Sequence, residues 1–391
     1  MKIAIFTNNY LPNPYGVTGS VETFRKYFEE KGHTVYIFAP DWHGYTDNNP
    51  HVFRYPSLDL PWLKFRFPVP LSWATRTAQK NVDMQSIDII HAQHPNLLGA
   101  EAKRVAKKYQ KPIVFTWHTR YDYYTHFAPF FIPESLALNY VIKNASSFAN
   151  SVDQVVVPTH SMEPIIRSWG VENPHVKDVA TGVDEKLFTD TNPEKIKKDL
   201  NIPKGAQVIT TIARFTQEKN VDFLFEKVAN ILQQQKDTIF LLIGGGPLLD
   251  DIRRKAKEMN VQKQVFFAGE VKREEMKHYY ATADIFVYAS KSETQGMVIS
   301  EAMYMNVPVV AIKATGIVDL VEDGKTGLLL TSQENDEFEK AILKLIQNKE
   351  LRKQYAQASG KSAREVFTAQ AQGEKMLALY EQVIERKKRE K

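Results

Sequence analysis

Short apolar runs alternate with amphipathic helical stretches along nearly the whole chain, and this alternation constrains the fold more than any other feature. The runs are continuous, as expected for strands of a parallel sheet whose two faces are both covered by helices. Strands that alternate with helices are typical of doubly wound α/β domains. A chain of 391 residues also exceeds what one hydrophobic core usually serves, so we expect two domains.

The runs fall into two series on either side of a polar stretch. Strands of the first series are expected at residues 3–6, 35–39, 87–92, 113–117 and 155–157. Strands of the second are expected at residues 208–213, 239–243, 265–267, 285–288 and 309–311. Helices are expected at residues 20–31, 221–235, 248–260, 274–281, 297–305 and 369–386. The polar stretch 182–205, which contains Pro193 and Pro203, is interpreted as the linker.

Composition and charge exclude several classes of protein. The chain has no cysteine, which rules out disulfides and thiolate metal sites and fits a reducing cytoplasm. The net charge of +5 is too small to indicate a nucleic-acid partner. The first apolar run is too short for a signal peptide, and no apolar run is long enough for a membrane span.

The most specific chemical signal lies in residues 290–301, between a predicted strand and a predicted helix. Open α/β sheets bind ligands beyond the carboxyl ends of their strands, so this loop lies where a site is expected. Glu293 could accept hydrogen bonds from sugar hydroxyls and Glu301 from ribose hydroxyls, with Gln295 close by. Gly296 allows close backbone approach, and the N–H groups of Met297 and Val298 would form an anion site for a diphosphate. An ordinary helix start with an acidic first turn remains the alternative.

Three further strand ends of the second half carry candidate donor-binding residues. Arg214 and Lys219 follow the first strand of that series, where cations could neutralise a leaving diphosphate. Gly245 and Gly246 follow the second strand, and Gly269 follows the third, where backbone groups could meet a ligand. Surface cations in a loop and a glycine-rich turn are the structural alternatives.

The first half offers a glycine loop and a histidine. Gly16 and Gly19 lie between the first strand and its helix, without the full dinucleotide-binding spacing, and could contact a sugar or phosphate. His118 ends a central strand and could contact the transferred sugar, whereas His33 is expected to pack structurally. The chain has no Asp-x-Asp pair and no histidine-rich metal spacing, so we predict a reaction without a bound metal.

With these residues assembled, the chain resembles the retaining glycosyltransferases of family four, which have the GT-B fold of two facing Rossmann-like domains. The paired Glu293 and Glu301, Arg214 with Lys219, Gly245-Gly246 and the segment 322–328 carry the resemblance over nearly the whole length. It implies an acceptor-binding domain 1–182 that includes a returning helix at 369–391. It also implies a sugar-nucleotide-binding domain 183–368 and no tightly bound cofactor. Ala314-Thr315-Gly316 departs from the commoner Gly-Gly pattern.

A narrower resemblance concerns the acceptor. The segment 118–127, with Tyr121, Tyr124 and His126, and the segment 292–296 are similar to those of 1,2-diacylglycerol 3-glucosyltransferases. This implies UDP-glucose as co-substrate, diacylglycerol as acceptor and a cytoplasmic enzyme on the inner face of the cell membrane. Between residues 61 and 80, aromatic and basic side chains suit an anionic membrane boundary: Trp62, Lys64, Phe65, Arg66, Phe67, Trp73 and Arg76. A domain wall is the alternative for that segment.

Three other functions remain open at this point. A hexosyltransferase with a soluble or different lipid acceptor would share every donor residue. A UDP-sugar 2-epimerase can share the architecture, and an inactive sugar-nucleotide-binding module is the non-enzyme alternative.

Overall fold

The computed structural model describes residues 1–13, 16–58, 69–70, 79, 81–123, 133–331 and 336–390. It divides into two compact units. One consists of Met1–Gly182 together with Ala369–Lys391, and the other is Val183–Thr368. Each unit has a parallel sheet with helices on both faces, which confirms the predicted Rossmann-like α/β class.

The first unit is built on a sheet of seven parallel strands. Their order across the sheet is Val52–Tyr55, Thr34–Pro40, Lys2–Phe6, Ile89–Ala92, Ile113–Thr116, Gln154–Val157 and Val176–Asp178. The helices of this unit are Gly16–Glu30, Leu98–Tyr109, Glu134–Ala149, Met162–Ser168 and Ala369–Arg389. The central strands are buried throughout, which explains why they are continuous apolar runs.

The second unit has a sheet of six parallel strands. Their order is Val265–Gly269, Thr238–Ile243, Gln207–Ile212, Ile285–Tyr288, Val309–Ile312 and Gly327–Leu330. The helices are Pro193–Asp199, Val221–Gln234, Leu249–Glu258, Met276–Thr282, Met297–Tyr304, Ile317–Leu320, Glu337–Gln347 and Lys349–Val366.

The strand order determines where a ligand site can form in the second unit. The chain starts at Gln207–Ile212, adds two strands on one side, and then crosses to Ile285–Tyr288 on the other side. Loops leave these two adjacent strands in opposite directions, which opens a crevice at their carboxyl ends. The loop with Arg214 and Lys219 and the loop 289–296 therefore flank the switch point of this sheet.

The last helix, Ala369–Arg389, belongs to the first unit. Tyr380 is fully buried in it, contacts Phe28 and hydrogen-bonds the His91 ring at 2.5 Å. Lys375 forms a 2.6 Å ion pair with Asp178. Gly373 lies against the Tyr27 ring so closely that a Cβ atom there would be 2.1 Å from it.

The interpretation of residues 182–205 as a linker is wrong. This stretch carries the helix Pro193–Asp199, and both Ile196 and Ile202 are buried. The polar side chains that suggested a linker lie on the outer face of that helix, while single apolar residues attach it to the second unit. The proline count misled because Pro193 stands at the first position of a helix, where proline is well tolerated.

The predicted glycine loop at residues 16–20 is also wrong in its local structure. The helix begins at Gly16 instead of residue 20, so Gly16 and Gly19 lie in its first turn. Further strands, Val52–Tyr55, Val176–Asp178 and Gly327–Leu330, were missed because they are short and lie at sheet edges, where burial is incomplete. Among the described residues no helix is long and apolar enough to cross a membrane.

We predict that Gly373→Ala destabilises the first unit by about 1–3 kcal/mol, because the added methyl group meets the Tyr27 ring. Without that contact, alanine would instead stabilise the helix by about 1 kcal/mol. All five tryptophans of the sequence lie within residues 1–182, so tryptophan fluorescence during urea unfolding reports on this unit.

The matched control is Gln370→Ala, an exposed position on the same helix, which should leave the urea midpoint nearly unchanged. A midpoint for Gly373→Ala at or above that of the unmodified protein would contradict the packing described here.

Candidate active site

Backbone hydrogen bonds join the strand-end loops of the second unit into one surface. Phe215 N donates to Gly245 O at 2.8 Å, and Gly244 N donates to Gly269 O at 2.8 Å. Gly246 has φ +147°, and a Cβ atom there would lie 2.7 Å from Phe215 O. The glycines therefore serve first to bring these loops together, and the donor contacts proposed for Gly245, Gly246 and Gly269 remain predictions.

A buried ion pair occupies the centre of this surface. Lys219 Nζ lies 2.5 Å from Glu293 Oε1, and both side chains are mostly buried. The Tyr288 hydroxyl donates to the same oxygen at 2.7 Å. Burial and the Glu293 charge raise the pKa of the Tyr288 phenol well above its usual range, so Tyr288 acts only as a neutral donor. The structure thus brings together Lys219 and Glu293, which are 74 residues apart in sequence.

The helix Met297–Tyr304 begins directly beside this pair. Its N-cap residue Gly296 has a left-handed conformation with φ +85° and provides no capping side chain. A Cβ atom at Gly296 would be 3.9 Å from the Glu293 side chain. The first N–H groups of a helix have no partner inside the helix, so the anion site predicted at Met297 and Val298 remains a prediction that this helix start is compatible with.

The loop 294–295 is held against the next strand-end loop. Gly316 has φ +80°, and a Cβ atom at this position would lie 2.8 Å from the backbone of Thr294 and Gln295. Gln295 itself is buried. The Ala314-Thr315-Gly316 sequence therefore keeps the one glycine that this contact requires.

Arg214 lies at the same strand end but is more exposed. Its side chain is 48% exposed and reaches Glu218 Oε1 at 3.4 Å. It is close enough to Tyr288 to oppose, by its charge, the rise of the phenol pKa. Arg214 and Lys219 thus act electrostatically on the same Tyr288–Glu293 group, and Arg214 is the cation with more freedom to move toward a ligand.

Glu301 lies one turn further along the helix and is deeply buried. The Tyr280 hydroxyl donates to Oε2 at 2.7 Å, and Arg273 Nη2 lies 2.7 Å from Oε1. The Glu301 charge raises the pKa of the Arg273 guanidinium, which therefore stays protonated. The ribose contact predicted for Glu301 is still a prediction, since both carboxylate oxygens already have neighbours in the protein.

In the first unit, His118 lies beside two other buried histidines. Its Nε2 atom is 2.7 Å from Gln93 Oε1. Because an amide oxygen only accepts hydrogen bonds, Nε2 carries the proton and Nδ1 is the acceptor. Burial and the nearby His94 and His91 lower the pKa of His118 well below its usual value. The ring is therefore neutral at physiological pH.

The two neighbouring histidines are neutral for the same reason. Burial lowers the pKa of His94 to about 4 and that of His91 to about 3. His94 Nδ1 accepts a hydrogen bond from the backbone of Asn8, and His91 Nε2 contacts Thr116. The three rings thus belong to the polar network at the strand ends of the first sheet.

Tyr121 is only partly buried and stacks edge-on against Trp117 at 5.7 Å, which favours a packing role. The other acceptor and membrane residues predicted from the sequence lie outside the described residues: Trp62, Lys64, Phe65, Arg66, Phe67, Trp73, Arg76, Tyr124 and His126. Among the described side chains, no group of three or more histidine, aspartate or glutamate residues is arranged to hold a metal ion.

Sequence reasoning missed the partners that hold the candidate residues in place. These are Gln93, Arg273, Tyr280 and Tyr288. Gln93 and Tyr288 lie at the carboxyl ends of strands, and that position was the available signal. Arg273 and Tyr280 carried no such signal, because they meet Glu301 only through packing of the helix Met276–Thr282 and of the short 3-10 turn Arg273–Glu275 before it.

Two family models match the chain along most of its length. The model for Glycosyltransferase Family 4 matches residues 14–187, and the model for Glycosyl transferases group 1 matches residues 192–362. This chain is a glycosyltransferase. This confirms both the resemblance seen in the sequence and the assignment as an enzyme.

Relatives of this glycosyltransferase include two synthases. The alpha-monoglucosyldiacylglycerol synthase of Streptococcus pneumoniae is 28% identical over 84% of this chain and 75% of its own length. That of Acholeplasma laidlawii is 27% identical over 90% and 89%. The solved structure of Anabaena Alr3699/HepE in complex with UDP and glucose has a TM-score of 0.78 at 19% identity, covering 98% of this chain and all of that one. The last similarity concerns the fold alone.

We predict that Lys219→Ala lowers turnover of the glycosyltransferase by about 100- to 1,000-fold, the usual cost of removing one preorganised group that stabilises transition-state charge. Steady-state kinetics with a nucleotide-sugar donor measures this. The control is Lys291→Ala, which removes an exposed cation from the neighbouring loop. Near-normal turnover of Lys219→Ala in a folded protein would exclude the charge-neutralising role.

We also predict that the first unit loses stability as pH falls from 7.5 toward 5. The unfolded chain protonates these histidines near pH 6.5. In the folded unit the pKa is about 4 for His94 and about 3 for His91, and that of His118 is also lowered well below its usual value. The unfolded state therefore binds more protons in this range, and each such proton costs up to about 1.4 kcal/mol per pH unit.

Urea midpoints from tryptophan fluorescence at pH 7.5 and 5.5 measure this dependence. His94→Gln should reduce it, while His160→Gln, at an exposed position, should not. Equal midpoints at the two pH values would show that the histidines do not titrate as described.

Proposed function

We propose that this enzyme transfers glucose from UDP-glucose to the 3-hydroxyl of 1,2-diacylglycerol with retention of the anomeric configuration, at an anionic membrane surface. The product is monoglucosyl-diacylglycerol. The observation that carries the proposal is the Lys219–Glu293 ion pair beside the helix tip at Met297, at the switch point of the second sheet.

The donor is proposed to bind this second unit through its diphosphate. A departing diphosphate develops negative charge, and Lys219, Arg214 and the N–H groups of Met297 and Val298 offer positive charge without reorganisation. The solved relative with bound UDP and glucose supports a nucleotide-sugar donor. No metal is needed in this scheme, since the protein itself provides the compensating charges.

Glu293 is proposed to hold the transferred sugar. Lys219 and Tyr288 both contact its Oε1 atom, so the second carboxylate oxygen is the acceptor offered to a sugar hydroxyl. The ion pair fixes the direction of the carboxylate, as a positioned acceptor requires. On the first unit, His118, whose ring is neutral, is proposed to contact the transferred sugar.

Retention is proposed to follow from attack on the same face of the sugar that the diphosphate leaves. In this step the acceptor oxygen bonds to the anomeric carbon, and the bond from that carbon to the diphosphate breaks. The leaving phosphate oxygen takes the acceptor proton, so charge and atoms balance without a protein nucleophile. Family membership supports this route, and Lys219 stabilises the diphosphate as it leaves.

The diacylglycerol acceptor is supported by the names of the two synthases and by the segment 118–127. The aromatic and basic residues between 61 and 80 are proposed to dock on the membrane, with each basic residue contributing about 1 kcal/mol near an anionic leaflet.

The test is a panel of radiolabelled UDP-glucose, UDP-galactose, UDP-N-acetylglucosamine and GDP-mannose, each with vesicles containing diacylglycerol and anionic lipid. We expect a lipid-extractable α-glucoside from UDP-glucose and co-flotation of the enzyme with anionic vesicles. Flotation should weaken as the salt concentration rises, since surface charges are screened.

Other outcomes identify the alternatives. Transfer only to a water-soluble acceptor, without flotation, would leave a hexosyltransferase with a different acceptor. A new UDP-sugar formed without acceptor would indicate a 2-epimerase. Donor binding with neither transfer nor hydrolysis would indicate an inactive binding module.

A further inference from the structure

Two buried polar atoms of the second unit face each other without an aligned hydrogen bond. Arg273 Nη2 and Glu301 Oε1 are 2.7 Å apart, yet neither atom has a hydrogen-bond partner of acceptable geometry. Buried polar atoms in proteins are nearly always satisfied, and an exception indicates a missing group.

The other oxygen of the Glu301 carboxylate is fixed. Tyr280 is fully buried, and its hydroxyl donates to Glu301 Oε2 at 2.7 Å. The Glu301 side chain is only 3% exposed, whereas that of Arg273 is 36% exposed. Arg273 is therefore the group that can withdraw, and Tyr280 holds the carboxylate in place while it does so.

A hydroxyl group would satisfy both atoms at once. It can donate to Glu301 Oε1 and accept from Arg273 Nη2, because a hydroxyl is both a donor and an acceptor. An ordinary bridging geometry requires the guanidinium to move outward by roughly one hydrogen-bond length. A second carboxylate from a ligand could accept from Arg273 but could not donate to Glu301.

We propose that Arg273 is a ribose-binding residue of this enzyme, which together with Glu301 binds one ribose hydroxyl of the donor between them. The inference rests on the proposed binding of a nucleotide sugar in this unit. It makes Arg273 a determinant of selectivity for ribonucleotides over deoxyribonucleotides. When no donor is bound, Arg273 and Glu301 contact each other directly, in the place that the ribose hydroxyl would take between them.

The experiment is a binding cycle between protein and ligand. Calorimetry measures the Kd of UDP, 2′-deoxy-UDP and 3′-deoxy-UDP, with GDP and 2′-deoxy-GDP if UDP does not bind. For each hydroxyl, the Kd of the deoxy compound is divided by the Kd of the ribonucleotide. In the unmodified protein this deoxy-to-ribo ratio should exceed 1 for either the 2′-hydroxyl or the 3′-hydroxyl. In Arg273→Gln this ratio should fall by a factor of about 3 or more, because the hydroxyl loses a charged donor.

The matched control is Lys272→Gln, which removes the adjacent exposed cation and should leave the ratio unchanged. Arg273→Lys keeps the charge and provides a second variant if Arg273→Gln does not fold.

An unchanged or higher deoxy-to-ribo Kd ratio in Arg273→Gln would overturn the inference. It would mean that Arg273 does not bind the ribose hydroxyl and at most competes with it for the Glu301 carboxylate. These results leave the proposed function standing as long as a nucleoside diphosphate binds. Failure of both UDP and GDP to bind the unmodified protein would instead refute the donor assignment itself.

Discussion

The ion pair between Lys219 and Glu293 is the interaction on which the site of the second unit depends. It joins the loop after Gln207–Ile212 to the loop after Ile285–Tyr288, and these two strands are neighbours only because the chain crosses the sheet between them. A lysine and a carboxylate buried together are costly to desolvate, so the pair is weak evidence for a role in stability. The pair lies at the switch point of the sheet, where open α/β sheets bind ligands, and this position favours a role in ligand binding.

Polar groups in both units are held in fixed protonation states by burial. Tyr288 and Tyr280 remain neutral hydrogen-bond donors to the two carboxylates, and His91, His94 and His118 of the first unit remain neutral. The charged groups beside these tyrosines are two carboxylates paired with cations, Glu293 with Lys219 and Glu301 with Arg273. Such an arrangement leaves a few oriented dipoles and charges for a substrate, which is how preorganised sites stabilise developing charge.

The fold and the proximity of Lys219 to Glu293 could be predicted because they follow from local patterns. Continuous apolar strands predicted both sheets, and Glu293 and Lys219 follow strands directly, so topology alone brings them to one edge. The partners of Glu301 could not be predicted, because Tyr280 and Arg273 reach its carboxylate only through tertiary packing. The stretch 182–205 was misread because one buried residue per helical turn, such as Ile196, is a weak signal among many charges.

The central claim is that Lys219 and the helix tip at Met297 together bind the donor diphosphate. A crystal structure of the enzyme with UDP tests it most directly. The claim predicts diphosphate oxygens within hydrogen-bond distance of Lys219 Nζ and of the Met297 N–H group, with Arg214 turned toward them. A UDP molecule whose diphosphate lies away from both groups would contradict it.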